Sequence, residues 1–323
     1  MAAVLNTFMN SFTKKLEPPV RQHLKNVYGC LSMSMLSAAA GVYIHMFSEL
    51  LRANLLTTLG TLGLLFTLIN TPDNGKNQKL RLSYLLGFAF FSGLGLGPLL
   101  QLVMSVNPTV IVTALIGTIV IFVSFSISSL LAERGRWLYL GGTLISLLNI
   151  MVLFSFINLF LRWTIFYQAY LYIGLFLMCG FVIYDTQLII EKYHMGSKDF
   201  ILHSLDLFVD FVNIFRHLLI ILTQKVKIQL NNYRNQPSTA SHWTTSSASS
   251  TPISTTEASS ATPISTSTTP VTPEASSTTS IAATISSSTA TTTTSTFCRL
   301  YIYIEVTYLD NTNGSKVLTN FFF

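Results

Sequence analysis

The stretch His203-Ser-Leu-Asp206-Leu-Phe-Val-Asp210-Phe-Val-Asn213-Ile-Phe-Arg216-His217 decides how this chain folds. Most of its residues are aliphatic or aromatic, yet the polar ones are not scattered. His203, Asp206, Asp210, Asn213 and His217 follow one another in steps of 3, 4, 3 and 4, which stacks them on one face of a helix. Asp185 adds a third acid near the end of the preceding apolar run. A carboxylate at the centre of a bilayer costs about 3 kcal/mol on insertion scales, so each aspartate is a candidate functional residue that must face protein or water. Two readings of the seam stand: polar glue between helices or a cytosolic vestibule, and a path that passes or senses cations.

The rest of the chain supports a membrane setting. Half of its 323 residues are hydrophobic, only 10% are charged, and the mean hydropathy is +0.52 despite a long polar tail. A water-soluble domain of this size carries about a quarter charged residues, so the composition reads as a multi-pass membrane protein. The net charge of +6 is modest. Cys30, Cys179 and Cys298 form no paired framework and no metal-binding spacing. The first apolar run follows the basic residues Lys14, Lys15, Arg21 and Lys25 without a cleavage site, and reads as a retained helix.

Apolar runs long enough to span, or nearly so, lie at 28–48, 54–70, 82–104, 108–131, 137–159, 164–189 and 200–223. Turn chemistry separates them at Thr71-Pro-Asp-Asn-Gly75, Asn107-Pro108, Glu133-Arg-Gly-Arg136 and Met195-Gly-Ser197. Short loops imply antiparallel neighbours. Small residues at Gly60, Gly63, Gly93, Gly95, Gly97, Gly141 and Gly142 suit close helix contacts. The run Gly87–Pro98 has the letters of a phosphate loop but lies inside an apolar span with no strand before it, which excludes nucleotide binding there. Its glycines fit close packing or a kink ahead of Pro98.

Lysine and arginine set the orientation. If the first six runs each cross, the N-terminal arm, Lys76, Lys79, Arg81, Arg134, Arg136, Lys192 and Lys198 share one side. The other side has Arg52 and Arg162. A cytosolic N-terminus follows. The seventh run conflicts with this pattern: a full crossing places Lys225, Lys227 and Arg234 on the non-cytosolic side, whereas an element that dips in and returns keeps them cytosolic. Both courses stay open, and both make it a buried central element; the charge pattern favours a helix within the bundle and a cytosolic C-terminus.

Four regions result: a cytosolic arm at 1–27, a multi-helix transmembrane domain at 28–227, a disordered tail at 228–296 and a short apolar segment at 297–323. Serine and threonine dominate from Pro237 to Thr296, and Thr-Pro-Ile-Ser-Thr occurs at both 251–255 and 262–266. Such a segment buries too little apolar surface to offset its ordering entropy. The last segment carries no functional reading of its own. Asn313-Gly-Ser315 matches the N-glycosylation pattern, which is meaningful only in a lumenal tail.

Two carboxylates held close in a low-dielectric site do not both ionise easily, so such a pair shares a proton and forms a closed lock. A divalent cation relieves their repulsion, and calcium accepts oxygen ligands in varied geometry. Paired aspartates also act as cation filters. Asp185, Asp206 and Asp210 are thus the candidate calcium path and acid sensor. Arg81, at the start of the third run, is the candidate closed-state partner of an acid, beside its plainer reading as a flanking positive charge.

Cys179-Gly-Phe-Val-Ile-Tyr-Asp-Thr-Gln-Leu-Ile-Ile-Glu191, followed by Asp206-Leu-Phe-Val-Asp-Phe-Val-Asn-Ile-Phe215, closely resembles the Bax inhibitor family, the transmembrane Bax inhibitor motif proteins, in its endoplasmic-reticulum founding branch. Gly87–Pro98, Asn107-Pro108 and Leu140-Gly-Gly142 carry the same resemblance, which covers roughly residues 13–227. It implies an all-α integral membrane fold, a seven-helix bundle with six helices around a central, partly polar seventh. It also implies a calcium leak of the endoplasmic reticulum controlled by pH, and suppression of stress-induced cell death. Asp185 and Asp210 then form a di-aspartyl sensor, and Asp206 fills the neighbouring acidic position of the founding branch. The chain departs from that branch after Arg234, where a serine/threonine tract replaces a lysine-rich ending.

The expected partners are membrane lipids, calcium, protons, and cell-death regulators or stress sensors of the same membrane. No cofactor, nucleic acid or enzymatic activity is expected, calcium being the permeant ion. A non-conducting scaffold and a cation/proton exchanger are the alternatives. An intramembrane aspartyl protease is disfavoured, because neither Asp206 nor Asp210 follows the Gly-x-Gly of such enzymes.

Overall fold

The computed structural model describes residues 17–47, 55–73, 75–161, 164–234 and residue 299. The described residues form seven helices: α1 (Pro18–Phe47), α2 (Leu55–Asn70), α3 (Gln78–Val106), α4 (Thr109–Leu131), α5 (Leu140–Leu161), α6 (Thr164–His194) and α7 (Phe200–Arg234). Each corresponds to one expected apolar run, and the all-helical bundle expected from the sequence is what forms. Four stretches, α1, α3, α4 and Gln168–His194 of α6, are long and apolar enough to cross a membrane.

The boundaries differ from the apolar runs at both ends of the chain. α1 begins at Pro18, inside the expected arm, because proline is pre-set for the first helical turn and its missing N–H is not needed there. α7 continues to Arg234, so residues 228–234 of the expected tail are helical. The remainder of the arm, the serine/threonine tract and the C-terminal segment except residue 299 lie outside the described residues.

Turns form where the sequence placed them. Asn107 Oδ1 accepts hydrogen bonds from the Thr109 amide (3.0 Å) and hydroxyl (2.7 Å), which starts α4 behind Pro108. Gly135 and Gly196 have φ of 77° and 97°, a left-handed geometry that L side chains rarely adopt. α1 and α3 approach backbone to backbone. A Cβ on Gly41 would strike the carbonyl of Phe90, and one on Gly93 would strike the carbonyl of Ala38.

α7 is the central element. It packs on α1, α3, α4 and α6, while α2 lies chiefly against α3 and α5 against α6. From Ile201 to Thr223 it is buried on nearly every side, which explains why the one helix with a charged seam is also the most enclosed. Phe208 meets Phe88 of α3 edge-on, and Phe211 meets Phe122 of α4 in the same way. The outer helices show the reverse arrangement. On α4 the large exposed side chains are Val112, Leu115, Ile116, Ile119, Val120 and Val123, as a lipid-facing surface requires.

Of the two courses open to the seventh run, the re-entrant dip is not seen. α7 is one unbroken helix of 35 residues, about 52 Å at 1.5 Å per residue. Its start is pinned beside the start of α1, where His23 Nε2 and His203 Nδ1 lie 3.2 Å apart. Its end therefore projects from the opposite end of the bundle. A buried continuous helix satisfies its own backbone groups, whereas a dip requires extra partners for the exposed ones.

Candidate functional site

The polar seam of α7 faces inward. His203, Asp206, Asp210, Asn213 and His217 are all buried, and so is Arg216 beside them. On α6, Asp185 is 1% exposed, against 4% for Asp206 and 0% for Asp210. The helical spacing alone produces this, since a seam of period 3.5 residues on a helix packed all round must meet other protein. Gly174 of α6 leaves room for one end of the seam, because a Cβ there would come within 2.5 Å of His217 Nε2. His217 Nδ1 lies 2.8 Å from the Asn213 carbonyl, a geometry in which Nδ1–H donates.

Asp185 and Asp210 converge on one cationic group, the guanidinium of Arg299. Its Nη1 donates to Asp185 Oδ2 at 2.5 Å and to Asp210 Oδ1 at 2.7 Å. Its Nη2 reaches Asp185 Oδ1 at 3.4 Å. The guanidinium carbon sits 4.0 Å from the centre of the Phe181 ring, one turn before Asp185. Asn213 Nδ2 reaches the Arg299 carbonyl at 3.5 Å. Arg299 is itself 0% exposed. Asp206 lies within electrostatic range of it.

Charge arithmetic gives the site its character. Two buried carboxylates, Asp185 and Asp210, share the one buried guanidinium of Arg299, and Asp206 and Arg216 are also buried on α7. One negative charge is left over, and one proton neutralises it. Asp210 Oδ2 is buried and has no hydrogen-bond partner among the described residues. An ionised oxygen left in that state is expensive. Among the described residues no group of three or more His, Cys, Asp or Glu side chains gathers as a metal cage. Calcium prefers six or more oxygens, a number that two converging carboxylates do not supply.

Arg81 does meet an acid, but not one of the three membrane aspartates. Its Nη2 lies 2.5 Å from Asp199 Oδ2 at the start of α7, and its Nη1 lies 3.7 Å from Asp73 Oδ1. Gln187, two residues after Asp185, fastens the same end of the bundle. Its Nε2 donates to the carbonyls of Ser129 and Glu133, and its Oε1 accepts from the Trp137 amide. It thereby satisfies the exposed end of α4 and the turn that follows. Arg134 grips Glu191 with two hydrogen bonds, of 2.8 and 3.2 Å. The loops that carry Arg81 and Arg134 thus meet the junction of α6 and α7 at one end of the bundle.

Sequence reasoning missed Arg299 and Asp199. Arg299 carried one weak signal: it is the first lysine or arginine after Arg234. Asp199 reads as an ordinary helix-start residue, and indeed its Oδ1 also accepts from the Leu202 amide.

Apolar spans around a buried acidic centre define a multi-pass helical membrane protein with an ionisable core. The family described as inhibitor of apoptosis-promoting Bax1 matches residues 20–227. The chain is 51% identical over 200 residues to a probable Bax inhibitor 1 of Paralichthys olivaceus, covering 62% of this chain and 84% of that protein. It is 46% identical over 230 residues to Bax inhibitor 1 of Bos taurus (68% and 98% covered) and 44% identical over 230 residues to that of Homo sapiens (68% and 97% covered). The chain belongs to the Bax inhibitor family.

Proposed function

We propose that this protein is a pH-sensitive calcium leak of the endoplasmic-reticulum membrane that suppresses stress-induced cell death, with its N-terminus in the cytosol. The observation that carries the reading is the convergence of Asp185 and Asp210, from two helices, on a single cationic nitrogen deep in the bundle. A site that holds a guanidinium there offers oxygens to another cation by the same electrostatics. Asp210 lies ten residues into α7, about 15 Å along it, which is half the thickness of a hydrocarbon core. Neutralisation by one proton couples that cation site to pH. The gathering of basic loops at one end supports a cytosolic N-terminus. The role in cell death and the reticulum location rest on family resemblance and on the relatives' names.

Calcium entry into proteoliposomes across a pH series tests the reading. Wild-type flux should change with pH. Asp185→Asn and Asp210→Asn should each flatten that response, and the double variant should add little more, because coupled groups act as one unit. Flux that keeps its pH profile in both single variants would sink the sensor. Unchanged protection of stressed cells with no flux at all would favour a non-conducting scaffold.

A further inference from the structure

We propose that Arg299 is a tethered plug: its guanidinium is an intrachain ligand of the Asp185–Asp210 pair and blocks the cation path. The blocking role rests on the reading of that pair as a cation path; the docking does not.

The contacts are those of a bound ligand. One nitrogen bridges two carboxylates from different helices, the second nitrogen adds a contact to Asp185, and an aromatic face covers the carbon. Planar guanidinium suits this shared, charge-assisted geometry better than an ammonium. The backbone carbonyl is recognised as well, by Asn213. A cation moving along the seam would meet the same oxygens, and with the guanidinium in place those oxygens are already taken.

The direction of approach follows from the partners. Asn213 lies one turn beyond Asp210 towards the end of α7, and Phe181 lies one turn before Asp185 on the antiparallel α6. Arg299 therefore sits on the side of the aspartates that faces away from the basic loops, the side where α7 ends. From Arg234 back to the level of Asn213 is about 32 Å of helix. The 64 residues from 235 to 298, each able to reach about 3.3 Å, are far more than that return needs. Tethering raises the local concentration of the ligand without any added contact.

The test uses the full chain with Cys30→Ala and Cys179→Ala, which leaves Cys298, next to the plug, as its single thiol. Labelling of Cys298 by a polar maleimide in detergent reports docking, and calcium entry into proteoliposomes reports blocking. Arg299→Ala should speed labelling roughly tenfold or more, as loss of charge-assisted hydrogen bonds implies, and should raise flux several-fold. Arg299→Lys keeps the charge and guards against a variant that fails to fold; it should fall between wild type and Arg299→Ala in both measurements. Asp185→Asn with Asp210→Asn should speed labelling as much as Arg299→Ala. Equal labelling in wild type and all these variants would overturn docking. Faster labelling with flux equal to wild type would overturn the plug. Faster labelling with no flux from any variant would support docking and overturn the calcium path instead.

Discussion

Arginine meets carboxylate at two levels of this bundle, and the two levels behave differently. At the end where Arg81 holds Asp199 and Arg134 holds Glu191, the carboxylates are 16% and 22% exposed, so water reaches each pair from the acid's side. In the centre, Arg299 holds Asp185 and Asp210 with side chains that are 0–2% exposed. Water at the end level takes over when a pair opens, so those pairs act as fasteners of modest strength. Nothing takes over in the centre. A group removed there leaves charge that only a proton, another cation or a rearrangement can answer. Identical chemistry is thus a clasp backed by water at one level and a sealed ion pair at the other.

The contrast can be broken by substituting the three arginines in turn. Arg299→Ala should cost most, about 3–5 kcal/mol in denaturant unfolding in detergent, because it strands buried carboxylates; a loss no larger than that of the end pairs would erase the distinction. Arg81→Ala should come next. Its side chain is 3% exposed but Asp199 is 16% exposed, so about 1–3 kcal/mol is expected from the lost charged hydrogen bond. Arg134→Ala, whose side chain is 54% exposed, should cost under about 1 kcal/mol, and added salt should shrink even that. Measuring all three at low and high salt sharpens the comparison, since only the central value should be insensitive to salt.

What the sequence made legible follows from what is local. Apolar runs and their turns predicted the helices because both signals live within a few tens of residues. The steps from His203 to His217 predicted an inward seam, because helical periodicity fixes a face and lipid excludes charge from the other side. Arg299 was invisible for the opposite reason. It stands 114 residues from Asp185 and 89 from Asp210, beyond a tract of low complexity, and no periodicity spans that gap. Gln187 and Asp199 look like ordinary residues of a helix end, and only the packing of α4 and α3 against them gives them their tasks. The start at Pro18 and the finish at Arg234 lie outside the apolar runs because a helix goes on past the lipid as long as its backbone geometry allows.

The unbroken course of α7 has a biosynthetic consequence. If every helix from α1 to α7 crosses the membrane, the number of crossings is odd and the two ends of α1–α7 face different compartments. With the cytosolic N-terminus proposed above, the serine/threonine tract and Asn313-Gly-Ser315 would then enter the secretory lumen, where oligosaccharide transfer takes place. Sugar on Asn313 would be a permanent stamp of that sidedness, and its bulk, fourteen residues beyond Arg299, would keep the end of the chain from following the arginine into the bundle.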